Sequence, residues 1–176
     1  PFSFARAPLT LAYAMSWKDE IEEKRRREAL AEQMGGEERV GRQKAAGKLT
    51  VRERVDALLD PGSFHEIGKI AGKGDYGADN QLASFRPSPF VVGRGVIEGR
   101  PVVVQADDFT IRGGAGDAAI WQKLVFAEQM ANEYRMPLIR LVDGTGGGGS
   151  VKMLEKDPRT YIPQTPGWEW VVANMA

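Results

Sequence analysis

Cysteine is absent from this chain. That removes a disulfide framework, a thiolate metal site and a cysteine nucleophile together. Histidine is nearly absent: His65 stands alone, too little for an imidazole-ligated metal or a triad built around histidine. Neither sign of charge is in excess. Lys plus Arg and Asp plus Glu both number 24, so no global field draws the protein onto nucleic acid or an acidic membrane. No apolar run approaches the roughly 20 residues that span a bilayer. These absences lead us to expect a cytoplasmic protein with no nucleic-acid or membrane partner and no bound metal.

The 176 residues are 42% hydrophobic and 27% charged, a globular balance with enough chain for one domain and its core. Glycine is what the chain has in plenty, with 21 residues. Residues 1–14 lack periodicity. Ala12-Tyr13-Ala14 resembles a signal-peptidase site, but no basic segment precedes it. We expect a disordered upstream extension, with Met15 the natural start, then an N-terminal helical segment over 15–62 and an α/β domain over 63–176.

Ser16 and Asp19 are spaced as a capping box for a helix over 17–34, which Gly35-Gly36 stop. Its basic run, Lys24 to Arg27, is either an anion site or a solvated face, and the flanking glutamates favour the face. Thr50 and Glu53 form a clearer box, followed by Val51, Val55, Leu58 and Leu59 on one face. Residues 64–68 read as a strand, in which His65 is filler. Residues 71–89 lack periodicity and read as a long loop. Residues 90–97 and 101–107 are strands joined across Glu98-Gly99-Arg100. Gly113-Gly114-Ala115-Gly116 precede a helix over 117–134, striped by Ile120, Leu124 and Ala127, with Trp121, Val125 and Met130 nearby. Residues 138–142 are nearly all apolar, as a buried parallel strand should be. Strand, glycine turn, helix and strand make a βαβ unit, so the class is α/β.

The candidate site lies after that last strand, at Asp143-Gly144-Thr145-Gly146-Gly147-Gly148-Gly149-Ser150. Ligands of α/β sheets gather at carboxyl strand ends. Glycine lets the chain reverse and lets a ligand approach bare N–H groups, two of which can hold an oxyanion. Residues 113–116 could add donors or seat an acyl group at a helix start. A flexible turn accounts for the glycine run equally well. A P-loop does not, because no Gly-Lys-Ser/Thr follows, and Lys152 occupies the third-glycine place of a dinucleotide fingerprint.

Four ordered motifs now matter: Gly47-Lys48-Leu49-Thr50 through Pro61-Gly62-Ser63-Phe64 and on to Gly68; Gly93-Arg94-Gly95-Val96-Ile97-Glu98-Gly99-Arg100-Pro101-Val102; Asp108-Phe109-Thr110 with Gly113-Gly114; and Pro137-Leu138-Ile139-Arg140-Leu141-Val142-Asp143. Over about residues 16–150 they resemble the carboxyltransferase (beta) subunits of biotin-dependent acyl-CoA carboxylases of the propionyl-, acetyl- and methylcrotonyl-CoA type. The resemblance implies a crotonase-like β-β-α superhelix, truncated here and preceded by N-terminal helices. It implies carboxyl transfer from carboxybiotin to an acyl-CoA through an enolate, with the oxyanion donors falling on Gly146 and Gly147. Gly113, Gly114, Ala115, Gly144, Thr145 and Gly148 would line the substrate. The implied partners are a biotin carboxylase/biotin carrier subunit that carries the biotin and further copies in a homo-oligomer. The loop departs from the family: Asp-Gly-Thr-Gly-Gly stands where relatives read Asp-Ser-Gly-Gly, and their following Ala-Arg is missing. The acyl group is therefore left open. Two other readings stand beside this one, a decarboxylase of malonyl-type CoA thioesters and a catalytically silent fragment acting as an assembly module. The segment 161–170 could lid the acyl site or serve as helix-entry packing. Because the family covers its sheet with further strands, Leu138, Ile139, Leu141 and Val142 are expected to be incompletely covered.

Overall fold

The computed structural model describes residues 17–114 and 121–144; the expected extension, Ser16 and the segment 161–170 lie outside them. Three helices come first: α1 (Lys18–Glu32), α2 (Glu37–Ala45) and α3 (Val51–Leu58). Three of the four bases in the basic run of α1 pair with glutamates of the same helix. Glu23 takes Arg26 and Arg27 at 2.7 Å each, and Lys24 pairs with Glu28 at 2.6 Å. The two arginines hold the Glu23 carboxyl down at about 2. This is the solvated-face reading of residues 24–27. The expected capping box turns on Ser16, outside the described residues. The N-cap of α1 is Trp17, which makes no side-chain cap bond. Helix α2 went unassigned in the sequence because it is polar nearly throughout. It starts at Gly36, whose φ of 90° suits glycine, and it places acids in its first turn and bases in its last, in accord with the helix dipole.

Helix α3 follows its sequence signals closely. Thr50 accepts from the Glu53 N–H while the Glu53 carboxylate accepts from the Thr50 N–H, a complete capping box. The helix buries Val51 and Val55, with Leu59 just beyond, each worth about 1.5–3 kcal/mol relative to exposure.

The sheet has the order β1–β4–β5–β6, from β1 (His65–Ile67), β4 (Phe90–Ile97), β5 (Arg100–Asp107) and β6 (Leu138–Leu141). The β4–β5 hairpin closes on Glu98 and Gly99, both at positive φ (48° and 78°), as a right-twisted two-residue turn demands. The Asp60 carboxylate accepts from both of their N–H groups, at 2.9 and 3.0 Å. Antiparallel β4 and parallel β6 flank β5, and alternate residues of β5 serve opposite faces. Val102, Val104 and Ala106 pack under α3 with Val91 and Leu59. Val103 packs under α4 (Trp121–Glu133) with Phe90, Val92, Ala127 and Met130. A strand buried on both faces is nearly continuously apolar, hence its valine run, with Gln105 the buried polar exception. Gly95 of β4 leaves room for Leu59: a Cβ there would lie 2.5 Å from the leucine Cδ1.

Two sequence expectations are corrected here. Residues 71–89 are not a loop but carry a hairpin of β2 (Gly72–Tyr76) and β3 (Leu82–Pro87). Most of both faces is open to solvent, so no period-2 alternation was there to read. The strand over 138–142 is parallel, as expected, but half-buried rather than buried. It is an edge among the described residues, and Val142 is 74% exposed. That agrees with the expected incomplete cover.

Helix α4 also departs from its apolar stripe. Ala127, Met130 and Ala131 are buried, but so are Lys123 and Glu128. Glu128 is paired with Arg140 on β6. Lys123 shares a small cleft with Arg52, Glu66, Lys69 and Asp108, where Arg52 forks onto Glu66 at 2.9 and 3.4 Å. Burial pushes the Lys123 amine from 10.5 down to about 8, against the attraction of Glu66. Between those values the unfolded chain holds more protons on this amine than the folded one. Its contribution to stability therefore rises as pH rises through that window. Thermal melts from pH 7.5 to 9.5 should show wild type gaining on Lys123→Met. A difference that is flat or falls with pH would mean that the amine is not held near 8.

Candidate functional site

At the end of β5 the chain must leave the sheet, and Asp108 makes it do so. Its N–H donates to the Pro89 carbonyl at 2.7 Å. Its buried carboxylate accepts from the Thr110 N–H at 2.9 Å and hydroxyl at 2.6 Å, an Asx-type local turn. Burial raises the Asp108 carboxyl pKa, and the Thr110 bonds oppose it. The Thr110 hydroxyl in turn accepts from the Gly35 N–H at 2.9 Å. Gly35 is required there: a Cβ on it would lie 2.0 Å from the Thr110 carbonyl oxygen. The stop signal of α1 is thus also a docking point for the site.

The chain then reverses through Gly113 and Gly114, with φ of 66° and 68°, and reaches the carboxyl end of β6. A Cβ on Gly114 would lie 2.7 Å from the Asp143 carbonyl oxygen and 3.1 Å from the Gly144 Cα. One on Gly144 would lie 3.6 Å from the Gly114 carbonyl and 3.7 Å from Asp107 Oδ2. The two glycine segments singled out in the sequence, 30 residues apart, therefore form one corner. Three expected substrate-lining residues, Gly113, Gly114 and Gly144, meet in it. Ala115, Thr145, Gly146, Gly147 and Gly148 lie outside the described residues.

The corner refines one expectation. The Gly113 and Gly114 N–H groups donate to the Phe109 and Ile111 carbonyls, each at 3.0 Å. These two N–H groups are thus taken up within the turn, and the missing side chain of Gly114 serves close contact with the Asp143 backbone.

Polar groups that sequence reasoning passed over surround the corner. Asp107 Oδ2 accepts from the Asp143 N–H at 3.2 Å. Arg54 lies 3.6 Å from Asp143 Oδ2 and donates to the Asp107 carbonyl at 3.4 Å. Gln43 donates to Asp143 Oδ2 at 3.4 Å. Burial raises the Asp107 carboxyl pKa, opposed by the Asp143 N–H and by Arg54. The signal that could have found them is an aspartate at the end of each of two adjacent parallel strands. His65 is exposed, its Nδ1 2.9 Å from the Ser63 carbonyl. Among the described residues no group of three or more His, Asp or Glu could hold a metal ion.

An α/β sheet with a glycine corner at the carboxyl ends of two parallel strands is the layout of a ligand-binding α/β domain. Residues 42–156 match the carboxyl transferase domain family, and the chain belongs to that family. It is 39% identical over 135 residues to the mitochondrial propionyl-CoA carboxylase beta chain of Homo sapiens, covering 76% of this chain and 24% of that protein. The propionyl-CoA carboxylase carboxyltransferase subunit of Haloferax mediterranei is 33% identical over 132 residues, covering 75% and 26%. Among solved structures, transcarboxylase 12S with hydrolysed methylmalonyl-coenzyme A bound superposes with a TM-score of 0.61 at 32% identity, covering 74% of this chain and 26% of that one. The fold is that of the crotonase-like carboxyltransferase subunits, present in part. The chain spans about a quarter of the length of the curated relatives it matches.

The corner makes a differential prediction. Gly99 and Gly114 both have positive φ, but a Cβ at Gly99 meets nothing within 4 Å. Gly99→Ala should cost about 1–2 kcal/mol from backbone strain. Gly114→Ala should cost on the order of 1–3 kcal/mol more, through overpacking against Asp143. Urea unfolding of both variants measures the difference, and equal losses would mean that the contact with Asp143 is not tight.

Proposed function

We propose that the protein carrying this chain transfers a carboxyl group from carboxybiotin to an acyl-CoA, with the glycine corner as its thioester site. Family membership supports the reaction class. The observation that supports the site is the close backbone contact of Gly114 with Asp143 and Gly144, at the carboxyl end of the strand that leads into the glycine run.

In this reading the acyl-CoA lies against the corner, and its α-carbon gives up a proton and becomes an enolate. Its thioester oxygen takes the negative charge and is held by the Gly146 and Gly147 N–H groups. Such donors act most strongly as charge develops, because they cost no reorganisation at that moment. No side-chain base is assigned. Carboxybiotin, presented by a partner protein, supplies the carboxyl carbon and leaves a basic ring nitrogen for the proton. None of the described residues is assigned to the biotin ring.

A biotin carboxylase/carrier partner, a homo-oligomeric state and a cytoplasmic location belong to the same proposal, as does the division into a helical segment at 15–62 and a catalytic unit from 63. Support for assembly comes from the hexamer named for transcarboxylase 12S. No described helix is long and apolar enough to cross a membrane.

The experiment uses the whole protein with a biotinylated partner, assayed for carboxylation of several acyl-CoAs and for decarboxylation of malonyl-type thioesters. Carboxylation supports the proposal. Decarboxylation alone, or no turnover, overturns it in favour of the decarboxylase or the silent assembly module. In the active protein, Gly147→Val should lower turnover on the order of 10²-fold, as loss of one oxyanion donor does. Acyl-CoA affinity should suffer less, and Gly149→Val should do little. Equal damage at 147 and 149, or damage confined to affinity, would contradict the oxyanion assignment.

A further inference from the structure

Asp143 is the last residue before the glycine run, and three chain segments remote from it hold it. Asp107, 36 residues back, takes its N–H at 3.2 Å. Gln43 of α2, 100 residues back, donates to its carboxylate at 3.4 Å. Arg54 of α3 faces the same carboxylate oxygen at 3.6 Å and reaches the Asp107 carbonyl at 3.4 Å. Both charged side chains are mostly shielded, at 20% exposed for Arg54 and 24% for Asp143, so solvent screens this pair less than an open surface pair. On its other side Asp143 meets the backbone of Gly114. Its carbonyl, amide and carboxylate are therefore all constrained at once.

Parallel pairing does not supply these ties. Its register ends at Ala106↔Leu141, one residue before Asp107 and two before Asp143. Without side-chain help the exit of β6 would fray as any strand end does. We propose that Asp107 and Arg54 are positioning residues, which fix the direction in which the chain leaves β6 and hence the placement of the N–H groups that follow. Neither is placed against substrate. The inference rests on the proposed function for its catalytic meaning, but the clamp itself can be tested without it.

The geometry dictates the choice of variants. Asp107→Ala removes the acceptor for the Asp143 N–H. Asp107→Asn keeps an acceptor oxygen and gives up the charge, so it serves as the conservative rescue. Arg54→Met removes the guanidinium but keeps an apolar stem of similar length.

Hydrogen exchange in the 176-residue chain is the first readout. In Asp107→Ala the Asp143 and Gly144 amides should exchange on the order of 10-fold faster, the loss of about one hydrogen bond. The Val103 and Val104 amides, at the centre of the sheet, should not change. Asp107→Asn should restore most of the protection. Steady-state kinetics of the whole protein with its biotinylated partner is the second. Asp107→Ala and Arg54→Met should each lower kcat on the order of 10- to 100-fold, the scale of a misplaced catalytic group, with the KM for acyl-CoA within about threefold, since the interaction lost belongs to the transition state.

Unchanged exchange at residues 143 and 144 overturns the clamp. Faster exchange with unchanged kcat overturns its positioning role, and so does an equal loss in Asp107→Asn and Asp107→Ala. If Asp107→Ala exchanges globally, Arg54→Met decides by the same two readouts. A wild-type protein that carboxylates no acyl-CoA overturns the proposed function, and the exchange measurement then decides the clamp alone.

Discussion

Parallel pairing of β5 with β6 sets Val103 beside Leu138 and Ala106 beside Leu141, so both strands run out at the same end of the sheet. Everything in the candidate site depends on that shared exit. It puts Asp107 within hydrogen-bond reach of the Asp143 amide and brings two glycine segments into backbone contact. It also lets residues from two N-terminal helices reach the same point. The crossover between the strands is long because parallel strands require one, and α4 packs back onto the sheet through Ala127 and Met130. Slip the register by one residue and every alternate side chain changes face: Val103 would leave α4, and the corner would open.

The same economy explains the N-terminal helices. Helix α3 belongs to the core, through Val51, Val55 and Leu59, yet its outer side carries Arg54 to Asp143. The end of α1 is fastened by Gly35 against Thr110, one turn before Gly113. Helix α3 covers one face of the sheet, and the N-terminal helical segment as a whole anchors both strand exits.

Much of this was legible in the sequence where a single local cause decides the outcome. The Thr50–Glu53 box, the Glu98–Gly99 turn, the valine-rich strand β5 and the βαβ order each rest on short-range signals, and the structure has them all. The misses have a common reason. The β2–β3 hairpin has two open faces and so no alternation to detect. Helix α2 is almost wholly polar. Lys123 and Glu128 look like solvent residues on a helical wheel, but they are buried where Glu66 and Arg140 come to them from elsewhere in the chain. For the site, sequence found the glycine segments but not the aspartates, arginine and glutamine around them. Those ties join residues 36 to 100 positions apart, which no local pattern reports.

The central claim is that the two glycine segments act as one thioester-binding corner. Amide NMR of the chain, titrated with an acyl-CoA and separately with CoA alone, tests it most directly. With the acyl-CoA, the signals of Gly113, Gly114 and Gly144 should move together along one binding curve, and with CoA alone they should move much less. Shifts confined to one of the two segments, or equal shifts with CoA alone, would contradict the account.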